Sequence, residues 1–242
     1  PAARLVRGRA SLAARVPAPP PCVGDTAVGG RRPDPVRVGA VSLGALVCAF
    51  VCWGFGCLRR GTTGLTAQSL GAQEHDEVRA HLARALLIAL VAGVVLLTLG
   101  LPIRMASLWL IDGSEEVEAL AAGYIDLRVW SAPATFTNFA LLGWFVGLGR
   151  SGVALVLQLV LNLINIALDA LFVLGLGWGV EGVALGTVAA EWTAALVGLL
   201  IAARHLRGIP GRFVWEHIRE IGAVRRTLAL NRDIMIRSLA LV

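Results

Sequence analysis

Apolar positions along this chain fall in long uninterrupted blocks. Residues 38–58 carry no charge and lie between Arg37 and Arg59; residues 85–103 lie uncharged between Arg84 and Arg104; residues 129–149 lie uncharged between Arg128 and Arg150. In residues 151–180 the one charge is Asp169, and in 182–203 it is Glu191. About 20 apolar residues make a helix long enough to cross a bilayer. The pattern therefore predicts an all-α, polytopic membrane helix bundle, with five spanning helices over 38–203 and the start of a sixth at Ile234.

The flanks read differently. Residues 1–37 form an irregular basic segment: Arg4, Arg7, Arg9 and Arg15 precede Pro17-Ala18-Pro19-Pro20-Pro21, and no apolar run of signal-peptide length is present. Residues 1–22 are expected to supply no spanning helix, either as a basic tail or as a damaged start replacing one. Residues 204–233 read as a linker and 234–242 as a truncated helix. With Pro at position 1 and an abrupt apolar end, the chain reads as a fragment of a longer protein.

Composition narrows the class. Of 242 residues 57% are hydrophobic and 16% charged, against roughly 45–50% and 25% in soluble domains. A soluble domain and a wholly disordered chain are both excluded. The net charge of +6 is uneven: residues 1–40 hold seven arginines and two aspartates, the rest fifteen arginines and fourteen acids. That distribution argues against a nucleic-acid partner. Arginines in 204–232, at the Arg150 turn and between Arg59 and Arg84 predict these segments to be cytoplasmic. Asp112, Glu115, Glu116 and Glu118 then lie on the far side, as does the turn from Gly175 to Glu181, which holds no arginine. Cys22, Cys48, Cys52 and Cys57 form no disulfide or zinc spacing and read as small apolar residues. No cofactor and no enzyme motif is evident; His75, His81, His205 and His217 fall in or beside charged loop segments.

Ionisable groups inside a bilayer are costly and are functional candidates by default. At 100° per residue Gln158, Asn162, Asn165 and Asp169 share a face about 60° wide. Asn165 and Asp169, four apart, can present oxygens to one point, which suits a hard cation or a shuttled proton. For Gln158 and Asn162 the plainer role is inter-helix hydrogen bonding. On the preceding helix Tyr124, Arg128, Ser131, Thr135 and Asn138 share a face about 80° wide, and Pro133 interrupts that helix. Arg128 is expected to snorkel outward. Thr187 and Glu191 are neighbours on the last helix, with Thr187 placed to bond opposite Asp169.

Several stretches resemble the multidrug and toxic compound extrusion (MATE) family, most closely its DNA-damage-inducible protein F subgroup. They are Gly61-Thr62-Thr63-Gly64-Leu65-Thr66-Ala67-Gln68, then Leu141-Leu142-Gly143-Trp144-Phe145-Val146-Gly147-Leu148, then Leu161-Asn162-Leu163-Ile164-Asn165-Ile166-Ala167-Leu168-Asp169, and the closing Leu230-Asn231-Arg232-Asp233-Ile234. The resemblance implies a twelve-helix transporter of two six-helix lobes, of which this chain supplies most of the N-terminal lobe. It implies export of amphipathic or cationic small molecules across the cell membrane in exchange for H⁺ or Na⁺, with the bilayer and a second lobe as partners. It implies an ion-coupling set of Asp169, Asn165, Thr187 and Asp25, Na⁺ being the one metal ion in prospect. A substrate cavity would be lined by Tyr124, Ser131, Thr135, Asn138, Asn162 and Gln158. Asp25 sits in Val23-Gly24-Asp25-Thr26-Ala27-Val28-Gly29, which fits the end of the family's first helix, although Pro17 to Pro21 and four arginines replace that helix's apolar half. Two further readings stand beside efflux: a flippase for lipid-linked precursors on the same superfamily fold, which should present a basic cavity, and a non-transporting truncated remnant.

Overall fold

The computed structural model describes residues 35–110 and 114–209, and among them every regular element is helical. Helix α1 (Pro35–Gly54) continues through Phe55 into α2 (Gly56–Gly71). Helix α3 (His75–Thr98) runs through Leu99 into α4 (Gly100–Leu110). Helix α5 (Glu115–Arg128) passes through a 3₁₀ turn at Val129–Ser131 into α6 (Ala132–Gly147). Helix α7 (Ser151–Asp169) widens into a π turn over Ala170–Gly175, and α8 (Gly179–Gly208) closes the bundle. Asp25, the proline run, Asp112, His217, the linker beyond Ile209 and residues 234–242 lie outside the described residues.

Among the described residues four helices are long and apolar enough to cross a membrane: Val36–Gly71, His75–Thr98, Ser151–Gly175 and Gly179–Gly208. The uncharged block at 129–149 does not stand alone. It opens in the 3₁₀ turn that joins α5, of 14 residues, to α6, of 16, each short of the about 20 that a crossing needs. Only α5 and α6 together are long enough.

Helix ends also differ from the charge boundaries. The first helix passes Arg59 and Arg60 and ends at Gly71; the second starts at His75, which puts His75 and His81 on a helix, and its continuation passes Arg104; the third starts at Glu115, so Arg128 is internal. Backbone hydrogen bonding carries a helix past the bilayer boundary, and charges inside the bundle are tolerated where they are paired. Arg84, 2% exposed, shows this: its guanidinium meets Glu77 Oε2 at 3.1 Å, beside a His81 ring that contacts Ser69 Oγ at 3.0 Å.

Close packing rests on small residues. A Cβ at Gly143 would lie 2.5 Å from the Arg59 carbonyl, and one at Gly147 would lie 2.6 Å from Thr66 Cβ. Thr63 Oγ1 sits 3.1 Å from the Gly143 carbonyl. Two of the stretches that carry the family resemblance thus face each other across α2 and α6 as a small-residue seam, which lets backbones approach where lipid offers no hydrophobic drive. Gly93 on α3 likewise meets Pro133, whose Cα would be 2.5 Å from an added Cβ. Trp144, Phe145, Leu141, Val78 and Leu157 fill the core at one end; Phe136, Ala85, Ala89 and Leu58 fill a second cluster. The outward faces of α3 and α7 expose Leu87, Leu90, Val91, Leu155, Val156 and Leu163, as lipid-facing helices do.

Three chain ends meet at one end of the bundle. Arg79, near the start of α3, donates to the carbonyls of Leu206 and Ile209 at the end of α8. Trp144, near the end of α6, donates Nε1–H to the Val78 carbonyl at 3.0 Å. Gly149, at φ +71°, lets the chain reverse within three residues from α6 to α7.

Candidate functional site

Two of the buried polar clusters among the described residues are anchored on α8. The first joins α7 to α8. Asn165, 1% exposed, donates Nδ2–H to Thr187 Oγ1 at 3.2 Å, and that hydroxyl donates to the Val183 carbonyl at 3.0 Å. Asp169, fully buried one turn further along α7, lays its carboxylate against Gly186; a Cβ there would fall 2.2 Å from Oδ1. The missing side chain at Gly186 is what makes room for the carboxylate. The face derived from helical periodicity is therefore the face that turns inward, with Asn165, Asp169 and Thr187 together. Immediately after Asp169 the helix takes its π turn, a distortion frequent at functional sites.

Carboxylate, carboxamide and hydroxyl oxygens in one dry place are a hard-donor set. Such a set can hold a Na⁺ ion, and the carboxylate alone can hold a proton.

The second cluster binds the bent helix to α8. Arg128 Nη2 meets Glu191 Oε1 at 2.8 Å, with side chains 10% and 4% exposed. Arg128 also bonds Ser131 Oγ, and Thr135 Oγ1 bonds Glu191 Oε2. Asn138 donates Nδ2–H to the Glu191 main-chain carbonyl at 3.1 Å. The expectation that Arg128 snorkels outward is thus corrected: it points inward because Glu191 supplies the counter-charge. Periodicity grouped Arg128, Ser131, Thr135 and Asn138; what it did not reveal is that Glu191 is the partner of Arg128, Thr135 and Asn138, since nothing in spacing pairs residues 63 apart.

The remaining residues expected to line a cavity separate. Tyr124, 1% exposed, packs among Ala40, Val41, Ala45, Val183 and Ala184, against Gly44, where a Cβ would lie 2.5 Å from its ring. Gln158 and Asn162 stay half-buried and bond to each other at 3.4 Å.

Comparison with known proteins bears on this arrangement. The MatE family model matches residues 24–171. The chain belongs to the MATE family. It is 42% identical over 219 residues to the DNA damage-inducible protein F of Escherichia coli K12, covering 90% of this chain and 47% of that protein. It is 24% identical over 181 residues to a probable multidrug resistance protein NorM of Bacillus anthracis, covering 73% of this chain and 40% of that protein. Among solved structures it superimposes on a MATE transporter in the bent conformation with a TM-score of 0.72 at 22% identity, covering 98% of this chain and 56% of that one. An inward-facing multidrug resistance MATE transporter of the MOP superfamily matches with a TM-score of 0.69 at 22% identity, covering 87% and 51%. The chain spans about half the length of the curated relatives it matches. MATE proteins are multi-pass membrane transporters rather than enzymes, and this chain has their fold.

Proposed function

We propose that this chain is the ion-coupling lobe of a cation-driven exporter of amphipathic or cationic small molecules. The observation that carries the reading is the fully buried Asp169 carboxylate seated in the Gly186 notch beside Asn165 and Thr187. Titratable charge in hydrocarbon is expensive and needs a use. Entry of H⁺ or Na⁺ at this set neutralises the carboxylate; release to the other side restores it. Ion and drug then bias the bundle toward different states, and their competition is a coupling free energy between sites. A second lobe completes the translocation path, and Asp25 of the preceding segment belongs to the same ion set. The half-buried Gln158 and Asn162 are the amides left for polar contact with cargo, whereas Tyr124 is engaged in packing and Ser131, Thr135 and Asn138 with the Arg128–Glu191 pair in this conformation. The end of the bundle where α3 begins and α8 ends, with Arg204 and Arg207 among the closing residues of α8, faces the cytoplasm, and so does the basic linker that follows.

A lipid-precursor flippase is less well supported. That reading wants arginines presented to a lumen, and Arg128, the candidate in the sequence, is matched by Glu191.

The test is Asp169→Asn in the full-length transporter, reconstituted in proteoliposomes. Asn keeps shape and hydrogen bonding but removes the charge change, so ion-driven efflux of a cationic dye falls to the protein-free leak while yield holds. Wild-type efflux by the variant ends the proposal. A lost yield with transport per molecule intact indicates a structural aspartate instead.

A further inference from the structure

The Arg128–Glu191 pair has no part in the ion site just described, yet it ties α5, the 3₁₀ turn and α6 to α8, the helix that carries Thr187. Glu191 holds both halves of the bent helix. Arg128 ends α5, while Thr135 and Asn138 lie on α6, beyond the 3₁₀ turn. The tie is doubled at the surface, where Trp192 donates Nε1–H to the Trp130 carbonyl within that turn at 3.1 Å. On α8, Glu191 lies four residues after Thr187, about 6 Å along the axis on one face. Any rotation of α8 that moves Thr187 off Asn165 therefore strains the bonds at Glu191, and the reverse holds too.

We propose that Arg128 and Glu191 are positioning residues: a charge-balanced clasp that fixes the bend between α5 and α6 against α8 and so sets Thr187 at the ion site. The inference rests on reading Asn165, Asp169 and Thr187 as that site. The pair is neutral as a unit, and a hydroxyl bonds each of its ends, Ser131 at Arg128 and Thr135 at Glu191. Its worth lies in geometry, the role for which buried ion pairs are retained in systems where specificity has been shown.

Charge-conserving variants separate geometry from electrostatics. Glu191→Asp withdraws the carboxylate by one methylene, and Arg128→Lys removes the planar fork that meets Glu191 and Ser131 together. In the full-length transporter in proteoliposomes, both should raise the ion concentration giving half-maximal dye efflux by about tenfold, a typical coupling magnitude. The dye concentration for half-maximal efflux should be unchanged. Wild-type ion dependence in both variants overturns the proposal, and so does an equal loss in ion and dye affinity. The double variant Arg128→Gln with Glu191→Gln keeps two hydrogen-bonding amides and strands no charge; it should recover expression and ion dependence relative to either single Gln variant, and failure to do so counts against the clasp.

A second readout does not depend on transport. Spin labels at Glu116 and Arg150, near the two ends of the bent helix, are placed in a cysteine-free full-length background. They should give one narrow distance distribution that broadens in Glu191→Asp. An unchanged distribution overturns the clasp. If Asp169→Asn keeps wild-type ion dependence, the ion-site reading falls, and the label distances alone judge the clasp.

Discussion

The smallest decisive feature is a missing methyl group. Gly186 lets the Asp169 carboxylate approach the α8 backbone, and a Cβ there would overlap Oδ1 at 2.2 Å. Gly186→Ala must push the carboxylate or part α7 from α8. The expected result is a raised requirement for the driving ion, with membrane insertion retained, measured as the ion concentration for half-maximal efflux. Gly152, near the start of α7, has nothing within 4 Å of an added Cβ. Gly152→Ala is the matched control; it should leave transport unchanged and alter stability by no more than about 1 kcal/mol, in the stabilising direction set by helix propensity. Equal effects of the two alanines would show that the notch is not specific.

At the level of elements, the bundle is held by seams rather than by water-driven burial. α2 and α6 meet through Thr62, Thr63 and Thr66 on one side and Gly143 and Gly147 on the other. Gly147→Leu inserts a side chain where a single Cβ already meets Thr66 at 2.6 Å. Overpacking of this kind typically costs about 1–3 kcal/mol. The thermal midpoint of the purified protein in detergent should fall, while the ion dependence of the surviving molecules stays as in wild type. The contrast with Gly186→Ala separates a packing glycine from one that shapes a site. The α5–α6 bend belongs to this scale too: Pro133 stands against Gly93, so the kink is clamped by α3 on one side and by Glu191 on the other.

For the whole molecule the question is sidedness. The turn at 72–74, the turn at 148–150 and the end of α8 are gathered at one end by Arg79 and Trp144. Arginine placement predicts that this end faces the cytoplasm. Single cysteines at exposed Gln73 and Arg150 should react with an impermeant maleimide only after cells are permeabilised, and one at exposed Glu116 should react in intact cells. The reverse pattern would invert the orientation.

Block length and charge placement were enough to read an all-helical membrane bundle, because a bilayer imposes one length scale and one penalty on charge. Helical periodicity was enough to group Asn165 with Asp169, since neighbours on one helix share a face wherever that helix packs. Motif resemblance was enough to name the family. Helix ends were not legible, because charge marks where a bilayer stops being favourable and not where backbone hydrogen bonding stops: α2 runs on through Arg59 and α5 carries Arg128 inside. Partners across helices were not legible either. That Arg128 turns inward to Glu191, that Tyr124 sits in an apolar contact, and that Gly186 makes room for Asp169 all depend on which helices meet and at what rotation. That choice is made by close packing of small residues far apart in the chain, and only the tertiary structure expresses it.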